Sequence, residues 1–93
     1  MQTTILTIQI STFPKINPIK NEIIIFIKIL NASKGLPYYY IKAKASGETG
    51  RNIANLYTKG DYIIVESYLK YDYKQRFNIL VITREHPIFL SPL

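Results

Sequence analysis

Residues 50–71 read GRNIANLYTKGDYIIVESYLKY, and their apolar period changes midway. From Gly50 to Thr58, the residues Ile53, Leu56 and Tyr57 stand at i, i+3 and i+4, which puts three apolar groups on one helical face. Thr49 is placed to cap such a helix and Gly60 to end it. From Asp61 to Tyr71 the spacing falls to two. Ile63, Val65, Ser67 and Leu69 then share one face, and Tyr62, Ile64, Glu66, Tyr68 and Lys70 the other, as in a strand. The stretch therefore predicts a helix that plugs a core with Ile53, Leu56 and Tyr57, followed by a half-buried strand. It holds the chain's one helical pattern.

Strand patterns lie on both sides of it. Thr3 to Ile10 alternates, with Leu6, Ile8 and Ile10 against Ile5, Thr7 and Gln9. Ser11 to Asn21 carries Pro14 and Pro18 with Asn17 and Asn21 and reads as a loop. Glu22 to Leu30 is rich in β-branched residues. Lys28 interrupts its apolar run, so Ile25, Ile27 and Ile29 point inward and Phe26, Lys28 and Leu30 outward. Asn31 to Pro37 reads as a turn, and Tyr38 to Ala45 as the third strand. After residue 71, a polar hairpin at Asp72 to Arg76 leads into a last strand, Phe77 to Thr83. An extended tail, 86–93, contains Pro87 and Pro92. The order is three strands, a helix and two strands within one domain, 1–93. The class is all-β with one helix. The five-stranded Greek-key barrel of the OB-fold has this order, and other small folds share it.

The third strand carries the chemistry. Tyr38, Tyr40, Lys42 and Lys44 fall on one face, and Tyr39, Ile41, Ala43 and Ala45 on the other. Rings stack on bases and ammonium groups meet phosphates, neither requiring a particular sequence. An ordinary solvated strand face with cross-strand tyrosine pairs has the same pattern. Lys70, Lys74 and Arg76 gather at the hairpin, as a basic finger along a nucleic-acid backbone or as a solvated tip. Tyr62, Ile64 and Tyr68 form an outer cluster suited to a second subunit.

The chain has 93 residues, 12 Lys+Arg against 6 Asp+Glu, a net charge of +6 and a pI near 9.6. This balance favours an anionic partner, nucleic acid before membrane. There is no cysteine, hence no disulfide, thiolate nucleophile or cysteine zinc site. The longest apolar run, Ile23 to Ile27, is far below the roughly 20 residues of a membrane span. The first residues match neither a secretory signal nor a transit peptide. Heavy use of Ile, Lys, Asn and Tyr suggests an AT-rich genome. A lone His86, no serine beside an evident base, and no glycine-rich phosphate loop at Gly47 or Gly50 argue against an enzyme, a metal or a cofactor.

Arg51 to Leu69, RNIANLYTKGDYIIVESYL, resembles the bacterial-type single-stranded DNA-binding protein (SSB) family. Asn52, Ile53, Ala54, Lys59 and Gly60 fall on the family's helix pattern Asn-Val-Ala-x-x-Leu-x-Lys-Gly. Ile63, Val65, Glu66 and Leu69 fall on the strand pattern that follows. Tyr40 to Gly47 is similar to its Trp-x-Arg-Val-x-x-Phe-Gly strand. The resemblance covers the central half of the chain. It implies an OB-fold in which Tyr40 takes the place of a stacking tryptophan and Lys42 that of an arginine. Phe26 and Lys28 take polar groove positions, and Lys70 a basic one. Ser46 stands where a stacking phenylalanine would, Ser67 where a glycine would, and Tyr73 or Tyr71 replaces a lost hairpin tryptophan. The loops are shorter than the family's, and an apolar Ile88-Phe89-Leu90 stands in place of an acidic tail. Those departures resemble compact relatives, the primosomal replication protein and plastid-encoded SSB-like proteins.

The implied function is sequence-tolerant binding of single-stranded DNA in replication or maintenance, by a homodimer or homotetramer. The implied setting is the plastid, with the bacterial cytoplasm as the alternative. A structural subunit that keeps the fold but binds weakly, or a binder of single-stranded RNA, is the competing expectation. The interface expected is Phe26, Lys28, Tyr38, Tyr40, Lys42, Lys44, Lys70, Tyr73, Lys74 and Arg76.

Overall fold

The computed structural model describes residues 3–30 and 39–87. The elements are β1 (Thr4–Ile10), β2 (Lys15–Asn17), β3 (Glu22–Ile29), β4 (Tyr39–Ser46), α1 (Gly47–Leu56), β5 (Tyr62–Asp72) and β6 (Phe77–Pro87). β1 pairs antiparallel with β3 and with β5, β5 with β6, and β3 with β4. β6 then runs parallel to β4, with Ala43 opposite Leu80 and Ala45 opposite Ile82. The ring β1–β3–β4–β6–β5 closes on itself. The fold is an OB-fold, a five-stranded barrel with one helix, as the element order and the resemblance implied.

The segment expected to be a loop, Ser11 to Asn21, contains the sixth strand. Lys15, Ile16 and Asn17 pair with Ile24, Ile23 and Glu22 at the edge of β3 that β1 leaves free. Pro14, which has no N–H to donate, breaks the run between β1 and β2. Across the break, Ser11 N–H donates to the Phe26 carbonyl at 2.9 Å, and Phe26 N–H to Thr12 Oγ1 at 3.0 Å. Asn17 Oδ1 accepts the N–H groups of Ile19 and Lys20, and Asn21 takes a left-handed backbone, φ 51°. Those are the turn-forming habits of asparagine.

The core is aliphatic. Ile8, Ile10, Ile23, Ile25, Ile27, Ile29, Ala43, Ala45, Ile63, Val65, Leu80 and Ile82 are buried around Ile53 of the helix. On β3 the inward face expected, Ile25, Ile27 and Ile29, is the face observed, and on β4 Ala43 and Ala45 of the apolar face are buried. Small residues on β4 let the helix come close. A Cβ on Gly50 would stand 2.5 Å from the Ala45 carbonyl oxygen, so that helical position needs glycine.

Several boundaries differ from expectation. The helix starts at Gly47, ahead of Gly50, with Ser46 as N-cap. Thr49 is therefore inside it, and its hydroxyl donates to the Thr83 carbonyl. The helix stops at Leu56, and Gly60, φ 97°, shapes the turn beyond it, where its N–H donates to Ile10 O at 2.7 Å. Ile53 is fully buried and Tyr57 partly, but Leu56 is 66% exposed and plugs nothing. Glu85 ties the helix to β6 by accepting from Asn52 Nδ2 at 3.2 Å and Tyr57 OH at 3.5 Å. Burial, with the Glu85 charge, raises the Tyr57 phenol above its usual range. β6 runs on through His86 and Pro87, opposite Ile64 and Ile63, so the tail does not start at residue 86. The expected turn Asn31–Pro37 and the chain beyond Pro87 lie outside the described residues. Leu69 is 55% exposed, although Ile63, Val65 and Ser67 on the same face are buried. β1 accompanies β5 only as far as Ser67, and the β5–β6 ribbon projects past the barrel.

The helix contacts set an order of stabilities. Ile53→Ala should lower the unfolding free energy by about 2–5 kcal/mol. Leu56→Ala should change it by less than about 0.5 kcal/mol. Urea denaturation of the two variants checks the pair, and equal losses would contradict the helix orientation described.

Candidate nucleic-acid interface

The β3–β4 ladder sets the site. Ile24 is opposite Lys44, Phe26 opposite Lys42, and Lys28 opposite Tyr40. Directly opposed residues share a face, and with Ala43 and Ala45 inside the barrel this one is the outer face. Tyr40 is 60% exposed and Phe26 48%. Lys28, Lys42 and Lys44 are half-buried, their stems lying on the sheet. The sidedness expected of Tyr40, Lys42 and Lys44 thus holds. Tyr38 lies outside the described residues. Glu22 ends the same row, opposite Ser46, which is exposed at the start of the helix.

Rings and cations are already paired here. The Lys28 ammonium is 5.6 Å from the centre of the Tyr40 ring. The Lys42 ammonium is 5.8 Å from the centre of Phe77, the first residue of β6. Both distances lie within cation–π range. Lys42 also donates to Gln75 Oε1 at 3.3 Å. Between β2 and this ladder runs a groove lined by Thr12, Lys15, Ile24, Phe26 and Lys42.

The hairpin after β5 brings the second group of expected residues to the same side. Asp72 Oδ1 accepts the N–H groups of Lys74 at 2.9 Å and Gln75 at 3.2 Å. Arg76, φ 60°, returns its N–H to the Asp72 carbonyl at 2.7 Å. The Gln75 N–H above all, then the Lys74 N–H and the charges of Lys42 and Lys74, holds the Asp72 carboxyl below its ordinary range. The Tyr71 and Tyr73 rings meet edge to face, with centres 4.9 Å apart, and Tyr73 is 84% exposed. Lys70, Tyr71, Tyr73 and Lys74 line a cleft with Lys44 of β4 over Ile79. Arg76 is exposed in the turn and is not part of that lining.

Phe77, Gln75 and Lys15 were not among the residues expected at the site. Phe77 reads in sequence only as the start of a strand. What places it beside Lys42 is the parallel pairing of β4 and β6, a contact no local pattern reveals. Tyr62, Ile64 and Tyr68 lie on another outer face, with Ile5 of β1. There Glu66 Oε2 is 2.8 Å from His86 Nε2 and 3.6 Å from Arg84 Nε. Among the described residues, no group of His, Cys, Asp and Glu is arranged to hold a metal ion, and no helix is long and apolar enough to cross a membrane.

No family model and no curated protein matches the sequence. Solved structures do match the fold. The small single-stranded DNA-binding protein of Streptomyces coelicolor aligns with a TM-score of 0.76 at 12% identity, over 94% of this chain and 92% of that one. The second single-stranded DNA-binding protein (SSBb) of Mycobacterium smegmatis aligns at 0.74 and 15%, over 99% and 96%. The SSB domain of a Synechococcus protein aligns at 0.68 and 16%, over 92% and 94%. At these identities the likeness establishes the barrel and its element order.

The Asp72 turn should respond to acid. A carboxyl lowered in the folded state supports the turn above its ordinary value of 3.8 and withdraws that support as pH falls below it. The amide signals of Lys74 and Gln75 should therefore titrate together at acid pH, and Asp72→Asn should abolish the titration. Amides that stay fixed while Asp72 titrates would show that the carboxylate does not hold the turn.

Proposed function

We propose that the protein binds single-stranded DNA without strong sequence preference, through the outer face of β3 and β4 and the adjoining hairpin. The observation that carries this reading is the register of that face: Phe26 and Tyr40 each stand opposite a lysine, on a barrel whose structural counterparts are named as single-stranded DNA-binding proteins. Bases stack on Phe26 and Tyr40 and, further along, on Tyr73. Phosphates meet Lys28, Lys42 and Lys44, with Lys70, Lys74 and Arg76 at the hairpin. A duplex hides its base faces in its own stack, so a ring platform favours the single strand. The work served is replication or maintenance of DNA. The AT-rich character of the composition supports an organelle-encoded, plastid origin.

The reading includes self-association. Ile5, 65% exposed, and Tyr62, 52% exposed, stand with Ile64 and Tyr68 on a face separate from the lysine ladder. A chain of 93 residues gains buried area by covering that face with a second copy.

Titration of labelled oligo-dT against duplex tests the main claim. The single strand should win, and with three or four of those six cations on phosphates at once the log–log salt slope should be near −2 to −3. Tyr40→Ala and Phe26→Ala should each cost about 1–3 kcal/mol of binding. Equal affinity for both forms, or no dependence on salt, would refute it. For self-association, sedimentation should show a dimer or larger species that Tyr62→Glu dissociates. A wild-type monomer at tens of micromolar would count against that part alone.

A further inference from the structure

The β5–β6 turn ends in a side chain that no strand pattern explains. Gln75 is exposed, yet its Oε1 accepts from the ammonium of Lys42, 33 residues away in sequence. Lys42 stands opposite Phe26 of β3, and on its other side Phe77 of β6 presents its ring at 5.8 Å. The ammonium therefore rests over the Phe77 ring, on a strand flanked by β3 and β6. Lysine has three N–H donors, so Gln75 leaves two for another acceptor. A lysine free to sample its rotamers loses more entropy on being fixed than almost any other side chain. One already held by a carbonyl and a ring meets a phosphate at less cost. Gln75 is itself aimed by the turn, since its own N–H and that of Lys74 converge on Asp72 Oδ1.

We infer that Gln75 is a positioning residue of the interface: it reaches from the hairpin to hold the Lys42 ammonium against the Phe77 ring, ready to receive a phosphate. The inference rests on the reading of this face as a single-stranded DNA site. It gives the hairpin a second task, exerted through a neutral side chain and independent of its own charges. Phe77 becomes part of the platform, as the ring that backs the cation.

A double-mutant cycle tests it. Wild type, Gln75→Ala, Lys42→Met and the double variant are titrated with one fluorescein-labelled oligo-dT at several salt concentrations. Gln75→Ala should weaken binding about 3- to 10-fold and keep the wild-type salt slope, because Lys42 still reaches its phosphate. Lys42→Met should make the slope shallower by about 0.7. The double variant should bind as Lys42→Met does. A Gln75→Ala variant that binds like wild type, or that loses the same factor in the Lys42→Met background, overturns the positioning role and leaves the DNA-binding reading standing. A wild-type protein that ignores the oligonucleotide sinks both, and that arm is read before any variant is compared.

Discussion

Backbone pairing along both edges of β4 fixes which of its side chains meet water. β3 takes one edge across the whole strand, from Ser46 opposite Glu22 to Tyr39 opposite Ile29. β6 takes the other from Ala43 to Ala45. A slip of one residue would send Lys42 and Lys44 into the barrel and the alanines out. Such a slip is blocked twice, once by each neighbour. It is blocked a third time by the helix, whose Gly50 rests against the Ala45 carbonyl and whose Ile53 fills the space that two alanines leave open.

An exposed ring on a small basic domain invites non-specific association, and the ladder offsets this locally. Tyr40 and Phe77 each have an ammonium at cation–π distance. Such a contact is worth only about 0.5–1 kcal/mol at an exposed site, little enough for a base to displace. On the proposed reading, displacing it at Tyr40 also frees Lys28 for the phosphate beside that base. The ladder thus has both partners of each contact in place before a ligand arrives. The opposite outer face is organised differently. Glu66 there gathers His86 and Arg84, while the lysine ladder has Glu22 only at its far end.

Much of this was readable in the sequence, because the decisive signals are local. The alternation of Leu6, Ile8 and Ile10 marked a strand, and that of Ile25, Ile27 and Ile29, and of Lys42 and Lys44 against Ala43 and Ala45, assigned inside and outside correctly. What failed depended on neighbours distant in the chain. Leu69 continues an inward alternation, but β1 accompanies β5 only as far as Ser67, so among the described residues Leu69 is left largely exposed. Leu56 completes an apolar triad, but of those three only Ile53 and Tyr57 face the core. β2 was hidden behind two prolines, and Phe77 and Gln75 reach the site through pairings between elements far apart in sequence. Of the ten residues expected at the interface, Phe26, Lys28, Tyr40, Lys42 and Lys44 share the ladder. Lys70, Tyr73 and Lys74 join it through the hairpin cleft.

The position of β6 bears on how the chain reaches this state. The last of the described strands lies between β5 and β4 in the ring and closes it, while β1 links the two sides through its pairing with β3. Until residues 77–87 have emerged during synthesis, β4 and β5 each carry an open edge rich in apolar groups, the kind of template on which other chains condense. Closure then demands a parallel pairing with a segment more than thirty positions upstream, a slow kind of step because loop entropy is lost before contacts repay it. A nascent chain stalled short of its final strand would be the form most prone to aggregate in a cell.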